Sequence, residues 1–241
     1  MEEKDRIILA LDVDTQGKAL KLVDELKDLV GVFKIGMQLY NSIGPEIVSK
    51  INQLGGKTFV DLKFHDIPNT VGAAARVMTR LNAYMFNVHA AGGSEMMKKA
   101  VQEAQKEASK LGVNPPIMLA VTVLTSISQK ELEEEMFVAD LSLPDMVAKW
   151  AVMAKEAGMN GVVCSPQEIE MIKKACGSDF LTVTPGIRPT WAAANDQKRF
   201  TTPTQALAMG GDYMVIGRPI TGAENHREAA NKIIQELKEA N

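Results

Sequence analysis

A chain of 241 residues, 46% hydrophobic and 24% charged, has the make-up of a soluble globular protein and the length of one α/β barrel, which takes about 250 residues. Its net charge of −3, with Lys and Arg spread along the sequence, gives no support for nucleic acid or an anionic membrane as a partner. No apolar run reaches about 18 residues; the two cysteines lack a CxxC spacing, and three histidines without an HExxH or paired-cysteine motif argue against a structural zinc site.

The charged start, Met1-Glu2-Glu3-Lys4-Asp5, leads straight into a strand and does not read as a signal peptide, so a cytoplasmic protein with Cys164 and Cys176 reduced is expected. Short β-rich runs then alternate with helical patterns to the end of the chain. The runs are Ile7–Asp12, Val32–Gly36, Thr58–Lys63, Met85–His89, Ile117–Leu124, Gly161–Ser165, Leu181–Pro185 and Tyr213–Gly217. Most are almost continuously apolar, as parallel strands covered on both faces should be. Eight such strands with intervening helices predict a closed (β/α)8 TIM barrel, one domain over residues 1–241.

The helix boundaries are also legible. Asp14 or Thr15 can cap a helix whose Ala19, Leu22, Val23, Leu26 and Leu29 recur at helical spacing. Pro45 suits the first turn of the next, which Gly55-Gly56 ends. Ser94 opens a helix with Met97, Ala100, Val101, Ala104 and Ala108 on one face, stopped near Gly112. A further stripe, Leu143, Val147, Trp150 and Ala154, stops at Gly158, and its Met and Trp neighbours are expected to fill core. Two connections exceed an ordinary βα loop: Thr125–Asp140, whose acidic run Glu131–Glu135 reads as a solvated helix face, and Pro189–Phe200. Long loops on a compact barrel are commonly functional.

A barrel builds its site where strands end and βα loops begin. That rim carries Asp12, Lys34, Asp61 and Lys63 followed by Asp66, then Asn87 and His89, Thr125 and Ser126, Pro185 to Arg188, and Gly217-Arg218. Side chains at i and i+2 of a strand share a face, so Asp61 and Lys63 should project side by side. Singly, Asp12 could be a helix cap, Lys34 a snorkelling lysine and His89 a packing residue. Together, Asp12, Lys34, Asp61 and Lys63 converge from three adjacent strands, and alternating acid and lysine keeps each buried charge paired. On the opposite side, Pro185-Gly186-Ile187-Arg188 and Ile216-Gly217-Arg218 follow the seventh and eighth strands, where such barrels hold phosphate. Gln197 in the seventh loop could close over it. The residues thus predict a barrel that binds a phosphorylated small molecule and does acid–base chemistry with Lys and Asp.

At this point the chain resembles the bacterial orotidine 5'-phosphate decarboxylase family along almost its whole length. The resemblance is carried by Leu9-Ala-Leu-Asp12, Phe33-Lys-Ile-Gly36, Asp61-Leu-Lys-Phe-His-Asp-Ile-Pro-Asn-Thr70, Val88-His-Ala-Ala-Gly-Gly93, Leu124-Thr125-Ser126, Thr184-Pro-Gly-Ile-Arg188, Asp196-Gln197 and Ile216-Gly-Arg-Pro219. Phe64 stands where Leu is expected and Asn195 where Asp is frequent; neither position should touch the reacting carbon. The resemblance implies cofactor-free decarboxylation of orotidine 5'-phosphate to UMP, the last step of de novo UMP synthesis. It gives Lys63 the role of stabilising and protonating C6 and Asp61 that of holding Lys63 beside the departing carboxylate. Lys34 and Asp12 would complete the charge network and bind ribose hydroxyls, Thr125 or Ser126 the pyrimidine edge, and Arg188, Gln197, Gly217 and Arg218 the phosphate. It also implies a homodimer in which Asp66, Ile67 and Thr70 reach the neighbouring site.

Two rival readings remain beside it. A magnesium-dependent keto-sugar-phosphate decarboxylase or hexulose-phosphate synthase would share Asp-x-Lys-x-x-Asp but carry a metal-binding Glu where Lys34 stands, and an ammonium repels a divalent cation. A noncatalytic phosphate-binding barrel would need no buried Lys–Asp chain.

Overall fold

The structure, a computed structural model, describes residues 1–192 and 201–240. The eight strands, β1 (Ile7–Ala10), β2 (Val32–Gly36), β3 (Thr58–Phe64), β4 (Met85–His89), β5 (Ile117–Val121), β6 (Gly161–Val163), β7 (Leu181–Thr184) and β8 (Tyr213–Ile216), pair in parallel and in chain order. β1 also pairs with β8, with Leu9 opposite Ile216, which closes the barrel. The TIM-barrel expectation holds. Five strands end sooner than their predicted runs, β1 before Asp12, β5 before Leu124, β6 before Ser165, β7 before Pro185 and β8 before Gly217, while β3 runs one residue past Lys63.

Helices clothe the outside: α1 (Gln16–Leu26), α2 (Met37–Ile43), α3 (Glu46–Gln53), α4 (Pro68–Arg80), α5 (Gly93–Leu111), α6 (Gln129–Glu134), α7 (Leu143–Glu156), α8 (Ile169–Cys176), α9 (Pro203–Ala208), α10 (Arg218–Thr221) and α11 (His226–Glu239). Their ends follow capping chemistry. The Thr15 side chain accepts from the Lys18 N–H at α1, so it, and not Asp14, is the cap. Ser128 and Glu131 form a reciprocal capping box at α6, so one acid of the run supposed to be solvated serves the helix start, while Leu132 is buried beneath. Pro45 stands at the N-cap of α3, one residue ahead of the expected first turn. α5 begins at Gly93, one residue before Ser94, and ends on Gly112 in the left-handed conformation (φ 68°) that glycine adopts without strain.

Alternation along the strands separates two apolar layers. Ile7, Leu9, Phe33, Ile35, Val60, Phe86, Val88, Met118 and Ala120 face outward into the large core beneath the helices. Ile8, Val32, Phe59, Met85, Leu119, Val183 and Tyr213 fill the lumen. Because residues two apart share a face, Lys34 lies above Val32, Asp61 above Phe59 and Asn87 above Met85. The lumen is therefore an apolar plug with a polar layer at its C-terminal mouth.

Two strands approach closely at Gly161, where a Cβ would overlap the Leu181 carbonyl oxygen of the neighbouring strand. Gly161→Ala should accordingly cost about 1–3 kcal/mol, seen as a lower urea midpoint at unchanged slope. An unmoved midpoint would show that β6 and β7 can separate freely.

Candidate active site

Asp61 is the centre of the polar layer. Its Oδ1 accepts from Lys63 Nζ at 2.7 Å and from Asn87 Nδ2 at 2.7 Å, while Oδ2 lies 3.6 Å from Lys34 Nζ. Lys34 Nζ in turn stands 3.3 Å from Asp12 Oδ1. The four charges predicted to converge do so, as an unbroken Asp12–Lys34–Asp61–Lys63 chain. Its interior is shielded and its end is not: side-chain exposure is 12% for Lys34 and 15% for Asp61, against 63% for Asp12. Gly36, two residues along from Lys34, leaves room for the ammonium, since a Cβ there would sit 3.1 Å from Lys34 Nζ.

Burial alone would push the Asp61 carboxyl up, but Lys34 and Lys63 beside it, with hydrogen bonds from Lys63 and Asn87, hold it below its ordinary value. It is therefore a carboxylate at neutral pH. The His89 pKa is lowered as well, but here burial is the main cause, followed by His65 and Lys63 nearby, and the neutral ring is favoured. Its Nδ1 accepts from the Ala91 N–H at 3.3 Å, its ring stacks on His65 at 5.5 Å, and Trp150 meets it edge-on. This is the packing role expected of it.

Lys63 reaches Asp61 by a route other than simple strand alternation. Its φ is 53°, a left-handed value that a non-glycine residue adopts at a cost of about 1–3 kcal/mol. The ladder explains this: Val60 pairs with Phe86 but Phe64 pairs with Val88, so β3 carries two surplus residues against β4. The Lys63 N–H, deprived of a ladder carbonyl, donates to Asn87 Oδ1 at 2.8 Å. The sequence placed Asn87 on the rim without a role; its one visible signal was a carboxamide at a lumen-facing position inside an apolar run.

Beside the charge chain lies a cavity of about 190 Å³ lined by Lys34, Asp61, Lys63, Phe59, Val121, Val123, Leu124, Thr125, Val163, Cys164, Pro185 and Val215. Three walls are thus valines from separate strands, and one end is ionic. Cys164 is 1% exposed, and burial pushes its thiol well above the ordinary range. Thr125 lines this cavity; Ser126 is exposed and lies outside its lining. Pro185, grouped by sequence with the phosphate loop, belongs to this apolar cavity instead, because the chain turns at Gly186 (φ 77°) and buries Ile187 before Arg188.

A second cavity, about 260 Å³, is lined by Arg188, Trp191, Ala192, Arg218, Pro219, Gly222 and Ala223. Arg188 is 7% exposed, and its N–H donates to the Thr201 carbonyl at 3.0 Å. Arg218 opens the short α10 directly after Gly217. A Cβ on Gly217 would meet Ala10 Cβ at 3.4 Å and Asp12 Oδ2 at 3.9 Å, so this arginine-lined end abuts the charge chain across the β1–β8 seam. Gln197 lies outside the described residues. Asp66, Ile67 and Thr70 occupy the exposed loop and first turn of α4, away from both cavities; Asp66 Oδ1 accepts from the Ile67 N–H at 2.6 Å, and Ile67 is 67% exposed.

The chain as a whole matches a known family. The model of the orotidine 5'-phosphate decarboxylase / HUMPS family matches residues 5–233. The chain belongs to this family. The orotidine 5'-phosphate decarboxylase of Syntrophomonas wolfei subsp. wolfei is 65% identical over 239 residues, 99% of this chain and 100% of that protein. That of Heliobacterium modesticaldum is 49% identical over 99% of this chain and 98% of its own. Among solved structures, orotidine 5'-phosphate decarboxylase from Lactobacillus acidophilus superposes with a TM-score of 0.85 at 39% identity, covering 96% of this chain and 98% of that one. The barrel as a whole is therefore the fold of the orotidine 5'-phosphate decarboxylase / HUMPS family.

The depressed Asp61 pKa has a signed consequence. An Asp carboxyl titrates at about 3.9 in the unfolded chain, so ion pairing here stabilises the fold fully above that pH and is lost as pH falls through the lower folded value. In Asp61→Asn, the fall of the urea midpoint below about pH 4 should be shallower than in the parent protein; parallel acid limbs would contradict the assignment.

Proposed function

We propose that this protein converts orotidine 5'-phosphate to UMP and CO2, the last step of de novo UMP synthesis, as a cytoplasmic, cofactor-independent homodimer. The observation that carries the reading is the Lys63 ammonium, held by Asp61 at 2.7 Å at the ionic end of an otherwise apolar cavity. Decarboxylation at C6 leaves an electron pair in an sp2 orbital that the pyrimidine π-system cannot delocalise. The protein must supply that stabilisation, plausibly toward the upper end of the ~8–23 kcal/mol range of enzymes.

Lys63 does so as a cation fixed in a water-poor site, where charge stabilisation is strongest. The C6–carboxylate bond breaks, CO2 departs, and the pair left on C6 takes a proton from Lys63, which is reprotonated from solvent. Asp61 holds Lys63 and stands beside the departing carboxylate. Lys34 compensates the Asp61 charge on its other oxygen, and with Asp12 it binds ribose hydroxyls. Thr125 or Ser126 bonds the pyrimidine edge, and the position of Thr125 in the cavity lining favours it.

Arg188, Gly217 and Arg218, with Gln197, grip the phosphate. The arginine-lined second cavity supports this, and binding energy spent there assembles the site around the distant reacting carbon. Asp66, Ile67 and Thr70 serve the neighbouring subunit's site. An exposed isoleucine and an aspartate, both outside their own cavity, fit that role. The magnesium-dependent reading is disfavoured by Lys34, whose ammonium sits between two carboxylates that a divalent cation would otherwise bridge.

The direct test is the fall in absorbance as orotidine 5'-phosphate becomes UMP. Turnover should survive EDTA and drop by at least about a thousandfold in Lys63→Ala; nucleotide binding without turnover by the unaltered protein would leave only a phosphate-binding barrel.

The shared site has its own test. Lys63→Ala and Asp66→Ala should each be nearly inactive, while a mixture regains activity through hybrid dimers with one intact site. No recovery despite demonstrated subunit exchange would confine Asp66 to another role.

A further inference from the structure

We infer that Asn87 is a positioning residue for this site: its single buried carboxamide fixes both the backbone of Lys63 and the carboxylate that holds the Lys63 ammonium. The inference rests on the decarboxylase reading above and assigns a part to a residue on a strand that contributes no charge to the chain.

Three observations carry it. First, Asn87 is fully buried, and both arms of its amide are engaged: Nδ2 donates to Asp61 Oδ1 at 2.7 Å, and Oδ1 accepts from the Lys63 N–H at 2.8 Å. Lys63 N–H can only donate and the Asp61 carboxylate can only accept, so one of the two amide orientations is satisfied and the flipped one is doubly repulsive. Second, the bond to the Lys63 N–H stands where the β3–β4 ladder lapses between Val60 and Phe64. It replaces a missing rung and ties down a residue held at φ 53°. Third, Asn87 is the lumen-facing residue next above Met85, on a strand firmly paired to β5 with Asn87 opposite Leu119. The clamp is thus anchored on regular sheet while the residue it clamps lies on irregular backbone.

The mechanical consequence is specific. Lys63 has a flexible four-carbon stem, and without a fixed backbone its ammonium could follow Asp61 to several positions. With Asn87 holding the main chain at one end and the Asp61 carboxylate at the other, the ammonium has one place to be. Misplacement by about 1 Å at such a centre can cost on the order of a hundredfold in rate.

Two substitutions test this by steady-state kinetics across pH, with the unaltered protein as reference. Asn87→Leu removes both bonds and should lower kcat by about a hundredfold while KM changes far less, because the phosphate contacts are remote. Asn87→Asp keeps the shape but sets a second carboxyl against Asp61. Two such groups in contact cannot both ionise readily, so the pair retains a proton to higher pH. When protonated, the introduced carboxyl can donate to Asp61 and still accept from the Lys63 N–H. Activity relative to the unaltered protein should therefore rise as pH falls, by about tenfold per unit on the alkaline limb. The new carboxyl also shifts the other titratable groups around the pair (Lys63, Lys34, Asp12, His89 and His65), so the read-out is the added one-proton slope in that ratio and not the pH at which it begins.

A merely structural asparagine would lower stability without creating a new pH dependence. Should Asn87→Leu fail to fold, the isosteric Asn87→Asp decides alone. A pH profile for Asn87→Asp parallel to the reference, or an unchanged kcat in a folded Asn87→Leu, overturns the role of Asn87. Absence of turnover in the unaltered protein overturns the decarboxylase reading and this inference with it.

Discussion

Everything at the mouth of this barrel is organised by one carboxylate. Asp61 takes a lysine from its own strand, a lysine from β2 and a carboxamide from β4, so three adjacent strands meet on two oxygen atoms. Such a group tolerates burial because each of its oxygens faces a cation and one also accepts from an amide, and it in turn lets two ammonium groups stand close together. Remove the carboxylate and Lys34 and Lys63 face one another with nothing between them. Breaking a buried pair from one side typically costs several kcal/mol, more than the pair itself contributes. The arrangement stabilises little and specifies much, which suits the proton-donor role proposed for Lys63.

In the proposed reaction the two cavities divide the work of recognition. One is walled by valines and ends in charge; the other is arginine-lined and lies beyond the β1–β8 seam. A ligand bridging them would place a strongly bound anion at one end and a weakly bound, desolvated ring at the other. In the proposed reaction this is the useful polarity, because attraction at the reacting carbon's end before the bond breaks would stabilise substrate as much as transition state. The large fixed interaction is with a group that undergoes no change.

Much of this was legible in the residues because parallel barrel strands are apolar on both faces and their interruptions are informative. All eight runs are strands, and five end early because nonpolar residues continue past the last rung, at Leu11, Val123 and Leu124, Cys164, Pro185 and Gly217. Asp12, Lys34, Asp61 and Lys63 were expected to converge and do. For the last pair, alternation alone puts Lys63 beside Asp61 on regular strand, whereas the backbone turns left-handed there, and no glycine or proline marks the place. The contribution of Asn87 was illegible for the same cause, since it answers a gap in hydrogen bonding that only the register reveals. Pro185 lines the cavity beside the charge chain and not the arginine-lined one, a division a sequence motif does not show because it does not tell which way the chain turns at Gly186.

The surplus in β3 has a further property: it is even. Val60 faces the outer core, and so does Phe64, whose ring stands 6.1 Å from that of Phe86. A strand that gained one residue would exchange its inner and outer faces from that point on, sending a phenylalanine into the polar mouth and a lysine under the helices. Gaining two preserves parity while lifting a short stretch of main chain off its neighbour. The barrel thereby obtains a locally released segment at its most demanding position without disturbing the side-chain order on either side of it.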